Sequence, residues 1–341
     1  MLEIQSIVVG EKMEMTFEKT PEVLLEVNDL HKWFHVSAGL FSSRKHIIKA
    51  VNGVSFQVNK GETLGIVGES GCGKTTLGRT ILRLIEPTKG EINFMGEDFC
   101  KLEAGELRKK RGKMQIIFQD SFASLDPRMT VGDLIGEPLD IQNVFSSKQE
   151  RDARVLELLD IVGLGRAYIR RYAHEFSGGQ RQRIGIARAL ALKPDLIVCD
   201  EPVSALDVSI QAQILNLMEE IQKNTKVSYI FISHDLSVVK YVSDNVAVMY
   251  LGKIVEIAPR NKLYDSSLHP YTKVLLSAIP IPDTRIKREK LLFEGEVPSP
   301  IDLPSGCCFR TRCSHAQPIC EEVIPELTMR SDGHYCACHI N

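Results

Sequence analysis

The chain has 341 residues, 43% of them hydrophobic and 25% charged, with a formal net charge of -2. This is ordinary globular composition, enough for one large domain with an appendix or for two domains, and the balanced charge argues against a dedicated nucleic-acid binder. No run of about 18 apolar residues occurs and the first residues lack the basic lead of a secretory signal, so a soluble cytosolic protein is expected.

Residues 1–23 lack periodicity and read as a leader. From Leu24 onward, β-type runs alternate with helical stretches, which predicts an α/β fold with a largely parallel sheet. The β-type runs include Val54–Val58, Thr63–Val67, Leu196–Cys199, Tyr229–Ile232 and Val246–Met249. The second of them runs into Gly68-Glu-Ser70-Gly71-Cys-Gly73-Lys74-Thr75-Thr76 and then a helical pattern. That is the context of a P-loop, whose backbone N–H groups cradle phosphates. Lys74 is expected on the β- and γ-phosphates of ATP, and the Thr75 hydroxyl on Mg²⁺. The bland reading is a glycine-rich turn, which the combination of strand, spacing and helix disfavours.

The segment from about 121 to 180 contains no buried strand pattern and reads as helices, Val131–Glu137 and Gln149–Val162, inserted into the α/β core. Ser177 and Gln180 fit a capping box at the start of a further helix. "PDLIVCDEP" is an apolar strand ending in two acids. With a P-loop upstream, Asp200 is expected to hold magnesium and Glu201 to act as general base, rather than as a mere surface or capping pair. Between Val208 and Lys223, Ile210, Ile214, Leu217, Met218 and Ile221 share one helix face. Beyond Pro259 come a short helix (Tyr271–Ala278), proline-rich stretches and a cysteine-dense tail.

Taken together, the P-loop, Ser177-Gly178-Gly179-Gln180 and the Asp200–Glu201 strand resemble the ATP-binding cassette (ABC) proteins, over roughly Leu24 to Pro259. The resemblance implies that the Ser177–Gln180 signature closes on ATP held by a second ATPase subunit. It also implies that Gln119 touches magnesium and water, that Asp207 lies in the D-loop and that His234 contacts the γ-phosphate. Phe34, with Trp33 second, is the implied adenine-stacking aromatic. Gly68, Ser70, Gly71, Gly73, Lys74, Thr75, Thr76 and Asp200 would bind ATP, with Mg²⁺ on Thr75, Gln119 and Asp200. "SFASLDPRMTVGDLIGEPL" and "HPYTKVLLSAIP" resemble, more narrowly, the ATP-binding subunits of bacterial dipeptide/oligopeptide importers, with Ser121 where proline is usual. This implies a second ATPase, two membrane permease subunits and, indirectly, a solute-binding protein as partners. The location implied is the cytoplasmic side of the cell membrane, and the solute is a peptide, nickel or another small solute. Translation-type ABC proteins carry two cassettes per chain, and DNA-maintenance types separate the halves by a coiled coil. Here about 109 residues separate Gly68 from Ser177 without sustained heptads.

Six of the nine cysteines lie in the tail after residue 306, and in a reducing compartment such clusters more often bind metal than form disulfides. Cys307, Cys313, Cys320 and Cys338, at spacings x5, x6 and x17, resemble the C-terminal motif that carries a [4Fe-4S] cluster in some peptide-importer ATPases. Four thiolates also suit Zn²⁺, although paired C-x2-C spacings are absent. Cys308 and Cys336 are additional, and Cys336 could replace Cys338 as the fourth ligand. The expected division is a leader (1–23), a cassette (24–259, helical from about 121 to 180) and an extension (260–341) too short for a core of its own.

Overall fold

A computed structural model describes residues 22–37, 45–120, 122–279 and 295–340. Most of the expected leader and Ser121 lie outside these residues. The chain begins with β1 (Val23–Ser37), β2 (Lys45–Asn59) and β3 (Thr63–Val67), and then α1 (Lys74–Ile81). After β4 (Lys89–Phe94) and β5 (Glu97–Asp98) come α2 (Ala104–Lys110) and β6 (Met114–Ile117). Helices α3 (Val131–Ile141), α4 (Lys148–Ile161) and α5 (Gly178–Leu190) precede β7 (Leu196–Asp200). Alternation resumes with α6 (Val208–Thr225), β8 (Ser228–Ile232), α7 (Leu236–Val242), β9 (Asn245–Tyr250) and β10 (Lys253–Pro259). Helices α8 (Arg260–Ser266), α9 (Pro270–Ser277) and α10 (Ile319–Glu322) lead to β11 (Thr328–Ser331) and β12 (His334–Cys336).

The main sheet has the order β11-β12-β10-β9-β3-β8-β7-β6. Its centre, from β9 through β3, β8 and β7 to β6, is parallel. Every residue of β3, β7 and β8 is buried, as parallel strands covered on both faces require. Their side chains alternate between two cores. Leu64, Ile66, Val198 and Ile230 face β1, β2, β4 and α1, whereas Ile197, Cys199, Tyr229 and Phe231 face α5 and α6.

The expectation of a largely parallel sheet holds only for that centre. β2-β1-β4-β5 form a separate four-stranded antiparallel sheet, which takes in the Val54–Val58 run. Within it, β1–β2 and β4–β5 are consecutive strands, which can pair antiparallel across a short connection where a parallel pair would need a crossover. Between β6 and β7, the one described β-pairing outside named strands is a bridge from Thr130 to Tyr172.

The tail does not stand apart. β12 pairs antiparallel with β10, joining Glu256 to Cys336 and Ile257 to Tyr335, so the last two strands extend the main sheet. Fully buried Glu256 accepts hydrogen bonds from Leu268 N (2.7 Å), His269 N (3.0 Å) and His334 Nε2 (2.7 Å). Phe309 packs at 5.4 Å from the rings of both Tyr250 and Tyr271. The extension thus completes a core begun by the α/β body.

Candidate active site

The loop from Gly68 to Gly73 leaves the C-terminal end of β3 and enters α1, pressed against its neighbours. A Cβ on Gly68 would lie 2.2 Å from the Met249 carbonyl oxygen, and one on Gly73 2.0 Å from that of Ala50. Gly73 also has φ 110°, which only glycine adopts without strain. The buried Lys74 ammonium curls over the loop, donating to the carbonyls of Gly68 (2.8 Å) and Glu69 (3.0 Å). Thr75 Oγ1 donates to Asp200 Oδ1 at 2.8 Å, across from the end of β7. Burial pushes the Asp200 carboxyl up, and the Thr75 hydrogen bond opposes this. Together these two side chains present the hard oxygen donors that magnesium takes.

Glu201 follows with φ 48°, its N–H donating to Ile232 O at 3.0 Å. Its carboxylate accepts from Gln119 Nε2 at 2.8 Å and faces His234 Nδ1 at 3.0 Å. Thus the loops after β3, β6, β7 and β8 bring Lys74, Thr75, Gln119, Asp200, Glu201 and His234 to the carboxyl edge of the parallel strands. Open α/β sheets bind ligands there.

The remaining expected residues make local contacts of their own. Ser177 and Gln180 form the anticipated capping box at α5, through Ser177 N to Gln180 Oε1 (3.0 Å) and Gln180 N to Ser177 Oγ (3.4 Å). Gly178 and Gly179 abut Leu206 and Ile210, which bracket exposed Asp207, the N-cap of α6. The Ser177–Gln180 segment and Asp207 are therefore neighbours. Ser70 and Gly71 are exposed on the loop, and Thr76 accepts from Thr80 Oγ1 at 2.7 Å. Phe34 is half-buried under the Lys32 ammonium (5.1 Å), while Trp33 carries Lys49 and Lys89 at 5.4 and 5.3 Å.

The tail reaches the same loop. Arg312 Nη1 and Nη2 grip the Glu69 carboxylate at 2.8 and 3.0 Å, and Glu69 N donates to Tyr271 Oη at 2.9 Å. No spacing in the sequence signals this contact, because 243 residues separate the pair. Nearby, burial pushes the Cys307 thiol up to about 11, against a backbone N–H from Phe309, and Cys320, Cys308 and Cys338 push the same way. Cys313 is raised chiefly by burial and also feels Cys338 and Cys320. Cys320 and Cys338 thus act on both Cys307 and Cys313, while Cys338 acts on Cys336 as well. Cys336 is raised by burial and next by Glu256. Among the described residues, no three His, Cys, Asp or Glu side chains stand as a ready group for a metal ion.

Comparison with known proteins decides the family. Residues 51–204 match the model described as "ABC transporter", and residues 255–320 that of the "Oligopeptide/dipeptide transporter, C-terminal region". The oligopeptide transport ATP-binding protein AppF of Bacillus subtilis (strain 168) is 55% identical over 94% of this chain and 98% of its own. The chain is an ATP-binding subunit of this ABC transporter family. Oligopeptide transport ATP-binding protein OppF of Haemophilus influenzae is 50% identical, covering 95% of this ABC subunit and 99% of itself. Among solved structures, the cassette MJ0796 in a dimeric post-hydrolysis state bound to ADP and Pi has a TM-score of 0.62 at 28% identity. It covers 70% of this subunit and 99% of its own chain. The ABC subunit therefore has the P-loop α/β fold, and its activity is ATP hydrolysis that energises transport.

Proposed function

We propose that this ABC subunit hydrolyses ATP to drive import of dipeptides or oligopeptides, the solute class in the names of its AppF and OppF relatives. Nickel or another small solute is the second solute class. In this reading Gly68, Ser70, Gly71, Gly73, Lys74, Thr75 and Thr76 cradle the phosphates, and Phe34 stacks on adenine. Magnesium, held by Thr75, Asp200 and Gln119, supplies charge neutralisation on the phosphates. Glu201 takes a proton from a water whose oxygen bonds to the γ-phosphorus as the bond to the bridging oxygen breaks, giving ADP and phosphate. Gln119 and His234 hold the Glu201 carboxylate and water in line. Ser177–Gln180 and Asp207 act across the interface with a second ATPase subunit, in keeping with the dimeric MJ0796 cassette.

The reading extends to assembly. Helices between about 121 and 180 would press on cytoplasmic loops of two permease subunits, fed by a solute-binding protein. The subunit would be peripheral to the cell membrane, and no helix among the described residues is long and apolar enough to cross it. The proposed division is 24–259 for the cassette and 260–341 for the extension. There, Cys307, Cys313, Cys320 and Cys338 are the proposed holders of a [4Fe-4S] cluster, with zinc as the competing group. Cys336, on which Cys338 also acts, is the alternative fourth holder.

The observation that carries the reading is Glu201, held between Gln119 and His234 beside the Thr75–Asp200 pair. Glu201→Gln keeps the phosphate cradle and removes the base. Phosphate release should fall by about 10²–10⁴-fold while MgATP binding persists. Loss of ATP binding in that variant would remove Glu201 from the role of base.

A further inference from the structure

Glu69 stands inside the phosphate loop, where a bare carboxylate would repel the polyphosphate of ATP. Its surroundings cancel that charge. The Arg312 fork meets both carboxylate oxygens at 2.8 and 3.0 Å, and the Arg312 side chain is only 4% exposed. The same guanidinium lies over the Tyr250 ring at 5.8 Å. The Glu69 backbone is held as well, with its N–H donating to Tyr271 Oη at 2.9 Å and its carbonyl accepting from Lys74 Nζ at 3.0 Å. Arg312 and Tyr271 both follow β10 in the chain, so residues beyond the α/β core hold one member of the loop from two sides. Arg312 in turn is placed by the short 3₁₀ turn Arg310–Arg312 between Cys307 and Cys313, with its backbone N–H donating to Phe309 O at 3.0 Å.

Resting on the ATPase reading, we propose that Arg312 is a positioning residue for the phosphate loop, through which the cysteine-rich extension sets the affinity for ATP. Two physical effects combine. A bidentate Arg–carboxylate pair with a buried guanidinium is strong and geometrically specific, so it fixes the loop before nucleotide arrives. It also neutralises a carboxylate that would otherwise oppose the phosphates at low effective dielectric. A pair that served stability alone would alter melting and leave nucleotide affinity unchanged.

Fluorescence titration of the full chain with N-methylanthraniloyl-ATP and Mg²⁺ tests this, with melting read on the same samples. Arg312→Ala is expected to weaken binding by at least about tenfold, because it strands a negative charge in the loop. Arg312→Lys, which keeps the charge and loses the fork, should fall between wild type and the alanine variant. Adding Glu69→Gln to Arg312→Ala removes the stranded charge and should recover affinity to within about threefold of wild type. A folded Arg312→Ala protein with wild-type affinity overturns the proposal, as does a double variant no tighter than the single one. If Arg312→Ala fails to fold, the lysine variant decides, and unchanged affinity there is fatal. Lys74→Ala should abolish binding. A wild-type chain that binds no nucleotide sinks the ATPase reading itself, whereas nucleotide binding indifferent to Arg312 sinks only the present inference.

Discussion

Glu201, just after β7, and Gly73, the N-cap of α1, hold backbone conformations that serve the candidate site. Glu201, at φ 48°, adopts a left-handed conformation that costs a non-glycine residue of order 1–3 kcal/mol, and this turn aims its carboxylate at Gln119 and His234. Gly73 is the converse case, where only a missing Cβ lets the loop lie on β2. Gly73→Ala should therefore meet both a strained φ and an overlap with the Ala50 carbonyl. Its melting temperature is expected to fall by about 3 °C or more, and the stabilisation that MgATP confers on wild type should vanish. Scanning fluorimetry with and without nucleotide reads both effects, and an unaltered ATP shift would show that the loop tolerates a side chain there.

Helix α9 depends on an unusual cap. His269 Nδ1 accepts from Tyr271 N at 3.1 Å in a site 2% exposed, and burial, with Lys273 acting the same way, holds its pKa at about 3. The ring must be neutral to accept. As pH falls below the ordinary histidine value near 6.5, the unfolded chain takes up a proton that the folded one refuses. The stability from this depressed pKa is thus complete above about pH 6.5 and is lost progressively towards about pH 3. His269→Asn keeps a capping oxygen and removes the titration. Between pH 6.5 and 4 its stability should fall less steeply than wild type, by up to about 1.4 kcal/mol per pH unit. Denaturant unfolding at several pH values tests this, and parallel slopes would refute it. Elements differed in how readily they could be read. β3, β7 and β8 stood out because strands buried on both faces must be continuously apolar, and α9 showed its helical spacing. The hairpin β11–β12 did not, since "TMRSDGHYC" is half exposed and takes its order from the edge of β10.

Seen as one molecule, the protein has its tail as a working part of the body. Phe309 enters the aromatic core, β12 joins the main sheet, Glu256 ties His334 to α9, and Arg312 meets the phosphate loop. Cys307 N donates to Cys320 O at 2.8 Å within that shared structure. On the proposal that the tail holds a [4Fe-4S] cluster, anaerobically purified protein should be brown and hold about four irons per chain, and Cys313→Ser or Cys320→Ser should bleach it. Metal analysis giving one zinc and no iron would replace the cluster with a structural zinc site.

The nucleotide chemistry was written locally: a glycine loop after an apolar strand, two acids ending another, and a serine–glutamine box each specify their geometry within a few residues. Family membership could be read from those short segments, as could the residues proposed here as catalytic groups. Which partners meet across the fold could not. Glu69 and Arg312 are individually ordinary charges, and no periodicity records that a residue in the tail will neutralise one in the loop. The pairing of β12 with β10 and the core shared with Phe309 are of the same kind. Each depends on packing between segments distant in the chain, where burial and charge pairing act on the folded whole.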